Sequence, residues 1–198
     1  MLLSDYFRDT PDLTWDIALQ CGVRHGTIRL PDDKEFDVTS AAQLRIIYEG
    51  FLSHGITPLL LEPLPNALHD HIKYGDQQRD ERIEKFIHLM KNLHEVGITT
   101  VCFNFMAHYG WTRTSKNLLE RGNAEVTGFS LQDFVPDTLR ITHSQLWENY
   151  TYFIKFHQSG SAAFPDTNHP ANFFGFNYSF FGLQIVSCLC IIFHVKIC

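Results

Sequence analysis

Three consecutive units, each a helix followed by a glycine and a β-branched strand, constrain the fold of this chain more than any other feature. A glycine just past a helix end adopts the left-handed cap conformation without a clash of a Cβ atom. Strands that alternate with helices of this size predict a parallel sheet with helices outside it. The predicted helices cover residues 15–20, 41–54 and 76–96, and the strands that follow them cover residues 21–30, 55–61 and 97–105.

Two amphipathic helices and the segment between them extend this pattern. The helix at residues 76–96 and a helix that begins after Thr142 or Ser144 both carry apolar residues at spacings of three and four, which predicts buried stripes. Residues 106–141 have few periodic apolar positions and predict a long irregular connection at the carboxyl end of the sheet, where barrel enzymes place their sites. The stripes consist of Ile83, Phe86, Ile87, Met90 and Leu93, and of Leu146, Tyr150, Phe153 and Ile154.

Composition and charge narrow the class of protein. The chain has 198 residues, of which 16 are basic and 22 are acidic, and its net charge of −6 gives no support to nucleic-acid binding. The amino terminus has neither a basic start nor a long apolar run, which predicts no signal peptide and a cytoplasmic location. Cys21 and Cys102 lie in apolar sequence contexts and are expected to be buried free thiols.

The run after residue 97 joins a predicted buried strand to a polar and aromatic cluster. Residues 98–103 are mostly β-branched and apolar, as expected for a buried strand. Amide, imidazole, indole and guanidinium groups at the end of such a strand are suited to hold a polyol and a carboxylate. The alternative is a loop with a stacked Trp–Arg pair and no chemistry. The polar and aromatic residues are Asn104, His108, Trp111 and Arg113.

The same run resembles the mannonate dehydratases, a family of xylose isomerase-like barrels. Residues 102–114 are similar to C-[YF]-N-[FW]-M-x-x-x-x-W-x-R-T, and three further segments resemble family motifs in the family's order. The resemblance extends from about residue 15 to residue 155. The further segments are residues 62–75, similar to E-S-x-P…H-E-x-I-K-x-G; residues 121–129, similar to R-G-G-x-x-V-T-G-Y; and residues 146–155, similar to L-W-E-N-L-x-Y-F-L-K.

The resemblance implies a fold and a reaction. A complete (β/α)8 TIM barrel usually needs about 250 residues, so we expect an α/β fold that forms about half a barrel. The implied reaction removes water from D-mannonate to give 2-keto-3-deoxy-D-gluconate in hexuronate catabolism. The family uses Mn²⁺ or Fe²⁺, held by His, Cys and Asp side chains in the second half of the barrel, and those ligands are not recognisable in this chain. The pair His69 and His71 has no third ligand nearby and is expected to lie on the surface or in a loop.

The resemblance also suggests substrate-binding residues, each with a structural alternative. Arg113 is expected to clamp the substrate carboxylate, or to form a structural salt bridge. Asn104 and Glu62 are expected to bind sugar hydroxyls; the alternatives are a loop-capping amide and an exposed loop carboxylate. Trp111 is expected either to wall the sugar or to lie in the core, and Arg29, at the end of the first predicted strand, is a further candidate. No residue is assigned as the base that removes the α-proton.

The carboxyl-terminal segment differs in character from the rest, which divides the chain into a barrel part, residues 1–155, and a tail, residues 156–198. The sequence between Asp166 and Lys196 contains no Asp, Glu, Lys or Arg, and residues 173–193 are crowded with Phe, Cys and Ile. Three interpretations remain open for the tail. It is translated from the wrong frame or a retained intron, it is a membrane anchor, or it is a divergent core strand and helix.

Three functional hypotheses follow. The first is a metal-dependent sugar-acid dehydratase, a lyase, present as an amino-terminal and truncated form. The second is a related barrel isomerase or epimerase that acts on another sugar. The third is a non-catalytic, truncated or membrane-tethered product. The expected partner is a small-molecule sugar acid; a membrane is a partner only if the tail is an anchor. The unpaired edges of half a barrel favour a homo-oligomer.

Overall fold

The computed structural model describes residues 2–33, 35–108, 112–159 and 190–194. These residues form a five-stranded sheet, a separate two-stranded hairpin and five α-helices. A short 3-10 turn at Arg121–Asn123 joins the two strands of the hairpin. In chain order the elements are β1 (Ser4–Phe7), α1 (Leu13–Gln20), β2 (His25–Ile28), α2 (Ala41–Ser53), β3 (Thr57–Leu61), α3 (Asn66–Tyr74), α4 (Arg79–Val96), β4 (Thr100–Asn104), β5 (Ser115–Leu119), β6 (Glu125–Gly128), α5 (His143–Ser159) and β7 (Cys190–His194).

The sheet has the order β1-β2-β3-β4-β7, and its first four strands are parallel. The predicted alternation of helices with parallel strands is therefore confirmed, because α1, α2 and α4 each precede one of the strands β2, β3 and β4. The last strand, β7, pairs with β4 in the antiparallel direction, with Thr100 opposite His194 and Asn104 opposite Cys190.

Glycine ends the helices of the repeated units, as the sequence predicts. Gly97 follows α4 with a φ of 100°, in the left-handed region where a side chain is strained. Its N–H donates to the carbonyls of His94 and Leu93, so it satisfies two of the orphaned acceptors at the helix end. Gly22 and Gly55 have φ values of 81° and 80° at the equivalent positions after α1 and α2.

One face of the sheet is covered by the helices. The register places Phe7 beside Ile28, Ile28 beside Leu61 and Leu61 beside Val101, and all four side chains are buried. Because side chains alternate along a strand, this row belongs to a single face. Burial of its apolar surface against α1, α2 and α4 supplies the main favourable term in folding the sheet. The predicted stripe of α4 is confirmed, with Ile83, Phe86, Met90 and Leu93 buried and Ile87 partly buried.

The helix α5 docks on this core through an aromatic cluster. The Phe153 ring lies 5.1 Å from that of Phe86 and 5.6 Å from that of Phe103, in edge-to-face geometry that aromatic pairs prefer. The side-chain oxygen of Thr142 accepts from the backbone N–H of Gln145, so Thr142 caps the helix as one of the two residues proposed from the sequence.

The structure differs from the sequence-based expectations at several points. Residues 106–141 are not wholly irregular, because they contain the hairpin β5–β6. Cys21 was expected to be buried and is exposed at the end of α1, whereas Cys102 is buried as expected. His69 was expected on the surface or in a loop and is instead 3% exposed on the inner side of α3. In a mostly polar stretch of sequence, a histidine gives no indication that it lies on the buried side of a helix.

Two findings concern the tail and membranes. Of the segment 156–198, the structure describes the end of α5 and the backbone of β7. Most of residues 173–193, on which the membrane-anchor interpretation rests, lies outside the described residues. In the part of the chain that is described, no helix combines the length and apolar character that a membrane crossing requires.

Candidate substrate site at the strand ends

Three of the predicted site residues lie at the carboxyl ends of neighbouring strands. Arg29 and Glu62 directly follow β2 and β3, and Asn104 is the last residue of β4. The backbone N–H of Glu62 donates to the Ile28 carbonyl at 2.9 Å and that of Arg29 to the Phe7 carbonyl at 3.1 Å, so the strand ladder continues to this edge. Because β2, β3 and β4 are parallel, their carboxyl ends meet at the same end of the sheet.

Side-chain alternation gives Arg29 and Glu62 a common direction. Each comes one residue after a buried side chain, Ile28 and Leu61, that packs against the helices. The next side chain along a strand points to the opposite face, so Arg29 and Glu62 face away from the helices. Both are partly exposed. Arg29 is held by Asp32, with 3.3 Å between Nη2 and Oδ2, in an exposed pair that adds little stability.

Asn104 has the loop-capping contact that was the alternative to substrate binding. Its side-chain oxygen accepts a hydrogen bond from the backbone N–H of Met106 at 3.2 Å. This bond holds the turn through which the chain leaves β4. The side chain is partly exposed, so the cap and a sugar contact through the amide nitrogen are chemically compatible.

Arg113 lies at the base of the hairpin and is exposed. Its Nε atom donates to the Thr127 hydroxyl at 3.1 Å and its Nη1 atom to the Thr112 carbonyl at 3.0 Å. Both recorded partners in the described part of the chain are neutral oxygen atoms, so the predicted alternative of a structural salt bridge has no carboxylate there. Trp111, the remaining predicted residue, lies outside the described residues.

The residues just after β4 are tied to two other elements by side chains that, apart from His108, the sequence analysis did not assign to the site. The Tyr74 hydroxyl, at the end of α3, donates to the Ala107 carbonyl. The imidazole of His108 accepts from the Ile141 N–H at 3.2 Å, just before α5, and its ring lies 5.8 Å from the Tyr74 ring. The Arg140 guanidinium lies over the Tyr74 ring, 5.3 Å from its centroid. Of these residues only His108 was noted from the sequence, and the contacts span more than thirty positions.

The inner side of α3 buries two ionisable side chains. Lys73 is as buried as a core residue, and this burial lowers the pKa of its ammonium group. The carboxylate of Asp70, 3.2 Å away, acts in the opposite direction and raises that pKa. Burial and the nearby charge of Lys73 lower the pKa of His69 to about 4, so its imidazole is neutral at physiological pH. The Nδ1 atom of His69 is 2.9 Å from the Pro65 carbonyl and therefore carries the proton. In the described part of the chain, the buried Nε2 atom has no hydrogen-bond partner.

The described residues do not form a site that fits the Mn²⁺ or Fe²⁺ implied by the resemblance. A divalent transition metal of this kind needs several imidazole, thiolate or carboxylate ligands in one place. No group of three or more His, Cys, Asp or Glu side chains in the described ranges meets that requirement. The two histidines noted from the sequence lie in different environments. His69 is buried, whereas His71 is partly exposed and its Nδ1 atom lies 2.7 Å from Oδ2 of Asp76.

A parallel sheet with polar side chains at its carboxyl ends and helices on one face defines an α/β scaffold of the barrel type. The chain is similar in fold to the crystal structure of mannonate dehydratase from Streptococcus suis serotype 2, with a TM-score of 0.70 and 21% identity; the match covers 82% of this chain and 51% of that one. The sequence model of the family D-mannonate dehydratase (UxuA) matches residues 18–138. The chain therefore belongs to the D-mannonate dehydratase family.

Relatives in bacteria agree with this assignment. A mannonate dehydratase from Oceanobacillus iheyensis is 36% identical, over 54% of this chain and 30% of the relative. Mannonate dehydratase 2 from Halalkalibacterium halodurans is 30% identical, over 52% of this chain and 37% of the relative. The matches thus span about a third of the length of these relatives and about half of the solved chain.

Proposed function

We propose that the chain is the amino-terminal, substrate-side part of a mannonate dehydratase, a lyase that removes water from D-mannonate to give 2-keto-3-deoxy-D-gluconate. The observation that carries the proposal is the family match over residues 18–138, a range that includes all five site candidates. We further propose that residues 1–155 form this part of the barrel and residues 156–198 an atypical tail, whose strand β7 pairs with the edge of the sheet, and that the protein acts in the cytoplasm.

The chemistry of the proposed substrate explains why these residue types are suited to it. The dehydration removes the proton next to a carboxylate, and the developing negative charge must be stabilised as it forms. Arg113 would pair with the carboxylate through its planar guanidinium, while Glu62 and Asn104 would bind sugar hydroxyls. A bound Mn²⁺ or Fe²⁺ would supply the Lewis acid, with ligands from the part of the barrel that this chain does not span.

The proposed clamp is supported by contacts that orient it. Two donors of Arg113 are fixed by Thr127 and Thr112, which limits the directions that its remaining donors can take. The bond from Tyr74 to Ala107 and the contacts of His108 hold the first residues that follow β4. Substrate groups bind more tightly to side chains that are already ordered, because less conformational entropy is lost on binding.

Sugar-acid binding by Arg113 is testable in the 198-residue protein. The Arg113→Met variant removes the charge and keeps much of the apolar stem. A hydrogen bond to a charged group contributes about 1.5–3 kcal/mol, so we expect D-mannonate to bind at least about 10-fold more weakly in isothermal titration calorimetry. Arg121→Met is the matched control, because Arg121 is an exposed arginine at the tip of the same hairpin.

Two ligands separate the proposal from its main alternative. A related isomerase or epimerase of neutral sugars would bind D-mannose as well as D-mannonate and would lose neither on substitution of Arg113. Preference for the acid that disappears in Arg113→Met and persists in Arg121→Met supports the dehydratase. Equal binding of both ligands, or no effect of Arg113→Met on the acid, would contradict it.

A further inference from the structure

The turn that follows β4 is held by a phenol hydroxyl of a distant helix. Tyr74 is the last residue of α3, and its hydroxyl donates to the carbonyl of Ala107, 33 positions later in the chain. Both residues are partly buried. A hydrogen bond that is partly shielded from water restrains the backbone at its acceptor more than an exposed one, because water competes less for the carbonyl.

The ring that carries this hydroxyl is itself held in place. It makes an edge-to-face contact with His108, with 5.8 Å between the ring centroids, and the Arg140 guanidinium lies 5.3 Å from the Tyr74 centroid. Both arrangements are favourable for aromatic rings. His108 in turn accepts from the Ile141 N–H at 3.2 Å. The segment before α5 therefore orders the ring of Tyr74.

The carbonyl that Tyr74 holds belongs to the turn that orients Asn104. The Oδ1 atom of Asn104 accepts from the N–H of Met106, which directly precedes Ala107. Because a backbone N–H can only donate, this bond identifies which end of the amide is the oxygen. The amide is planar, so the bond also sets the direction in which the Nδ2 atom donates. Movement of the Met106 backbone would turn this donor with it.

We propose that Tyr74 is a positioning residue for the substrate: its bond to Ala107 holds the turn after β4, and this turn aims the Nδ2 donor of Asn104 at a substrate hydroxyl. The inference rests on the proposed function, in which Asn104 binds a hydroxyl of the sugar acid. Tyr74 acts through the turn and not by contact with the substrate. Binding is tighter when the donor is already ordered, because less conformational entropy is lost.

The affinity of the 198-residue protein for D-mannonate tests this role. Tyr74→Phe removes the hydroxyl and keeps the ring against His108. We expect D-mannonate to bind about 3- to 10-fold more weakly in isothermal titration calorimetry, as for the loss of one hydrogen bond between neutral groups. Tyr48→Phe is the matched control and should leave the affinity unchanged. Tyr48 is also partly buried, and its hydroxyl lies beside Gly97, before β4 and at the opposite end of that strand from the site.

A double-variant cycle separates positioning from a general effect on the fold. In the Asn104→Ala background, Tyr74→Phe should cause no further loss of affinity, because the donor that it aims is gone. With Asn104 present, the Met106 amide should exchange its hydrogen faster in Tyr74→Phe and not in Tyr48→Phe. Equal losses of affinity in the two backgrounds, or unchanged exchange at Met106, would overturn the role of Tyr74.

The same titrations distinguish this role from the proposed function. If the wild-type protein does not bind D-mannonate, the proposed function is overturned and the role of Tyr74 with it. If the wild-type protein binds, Arg113→Met weakens binding and Tyr74→Phe binds as tightly as wild type, only the role of Tyr74 is overturned.

Discussion

The buried imidazole of His69 makes the stability of this fold depend on pH. The side chain lies on the inner side of α3, and its pKa falls to about 4 because burial and the charge of Lys73 disfavour the protonated form. In the unfolded chain the pKa returns to about 6.5. The folded pKa is the lower one, so His69 stabilises the fold fully above pH 6.5, and this contribution is lost as the pH falls towards 4.

Acid denaturation should therefore depend on His69. Between pH 7.5 and pH 5 the imidazole accounts for about 2 kcal/mol of lost unfolding free energy by linkage, given a folded pKa of about 4. In the His69→Asn variant the amide nitrogen replaces Nδ1 towards the Pro65 carbonyl but does not titrate. Urea unfolding at the two pH values should show a smaller drop in His69→Asn than in wild type. The exposed His88, replaced in His88→Asn, should leave the drop unchanged; equal drops in all three proteins would contradict the burial argument.

At the scale of elements, α3 and α5 meet at a close contact that only glycine permits. Gly75 ends α3 with a φ of 67°, and the amide of Asn149 on α5 occupies the place that a Cβ atom would take there. The same amide donates to the Lys73 carbonyl at 3.0 Å and so caps the end of α3. Helix α5 is thereby fixed to the helix that carries His69 and Lys73.

Substitution of Gly75 should show how much unfolding free energy is lost to backbone strain and how much to the steric contact with Asn149. Left-handed backbone costs about 1–2 kcal/mol in a residue with a side chain. Gly22→Ala should lose only that amount, because Gly22 has a φ of 81° and open space around the added atom. Gly75→Ala should lose more, and the excess should shrink when Asn149 is also replaced in the double variant with Asn149→Ala. Equal losses of unfolding free energy for Gly22→Ala and Gly75→Ala would show that α5 moves away from the added Cβ atom without loss of stability.

The elements that sequence reasoning predicted are those specified by local patterns. The stripe of α4 and the left-handed glycines depend on neighbours a few residues away, and both are confirmed. β1 was missed because three of its four side chains are exposed, which leaves no apolar alternation to detect. α3 was missed because two of its buried positions are the polar residues His69 and Lys73, whose burial depends on contacts with distant elements.

The site residues also divide into those placed by local sequence patterns and those placed by contacts between distant residues. Parallel strands imply that their carboxyl ends meet, so the placement of Arg29, Glu62 and Asn104 followed from the predicted sheet. The tethers of the loop after β4 could not be predicted, because they join Tyr74 to Ala107 and His108 to Ile141 across long stretches of sequence. Arg113 was expected in a loop and lies at the base of a hairpin, whose turn Arg121–Asn123 lacks the common two-residue hairpin signal.

At the scale of the whole molecule, we propose a division in which this chain carries the substrate-binding residues and the metal ligands lie outside it. This division predicts that the chain binds D-mannonate but does not dehydrate it. The matches span about a third of the curated relatives, and the metal ligands are proposed to lie in the remainder. The 198-residue protein with Mn²⁺ and D-mannonate should therefore produce no detectable 2-keto-3-deoxy-D-gluconate in a colorimetric assay for 2-keto-3-deoxy acids. The full-length Oceanobacillus iheyensis relative, assayed in parallel, is the positive control. Metal-dependent turnover by the 198-residue chain would place the ligands within it and overturn this division.

The antiparallel contact between β7 and β4 has a consequence for synthesis of the chain. The paired residues, from Asn104 with Cys190 to Thr100 with His194, are roughly ninety positions apart. At about 5–20 residues per second, a ribosome makes the partner strand on the order of 5 to 20 s after it has made β4. Strands β1 to β3 and their helices have their neighbours well before that time. Among the described strands, only β7 covers the outer edge of β4, so until β7 is made this edge is open to strands of other nascent chains, and the translation rate sets how long mispairing can occur.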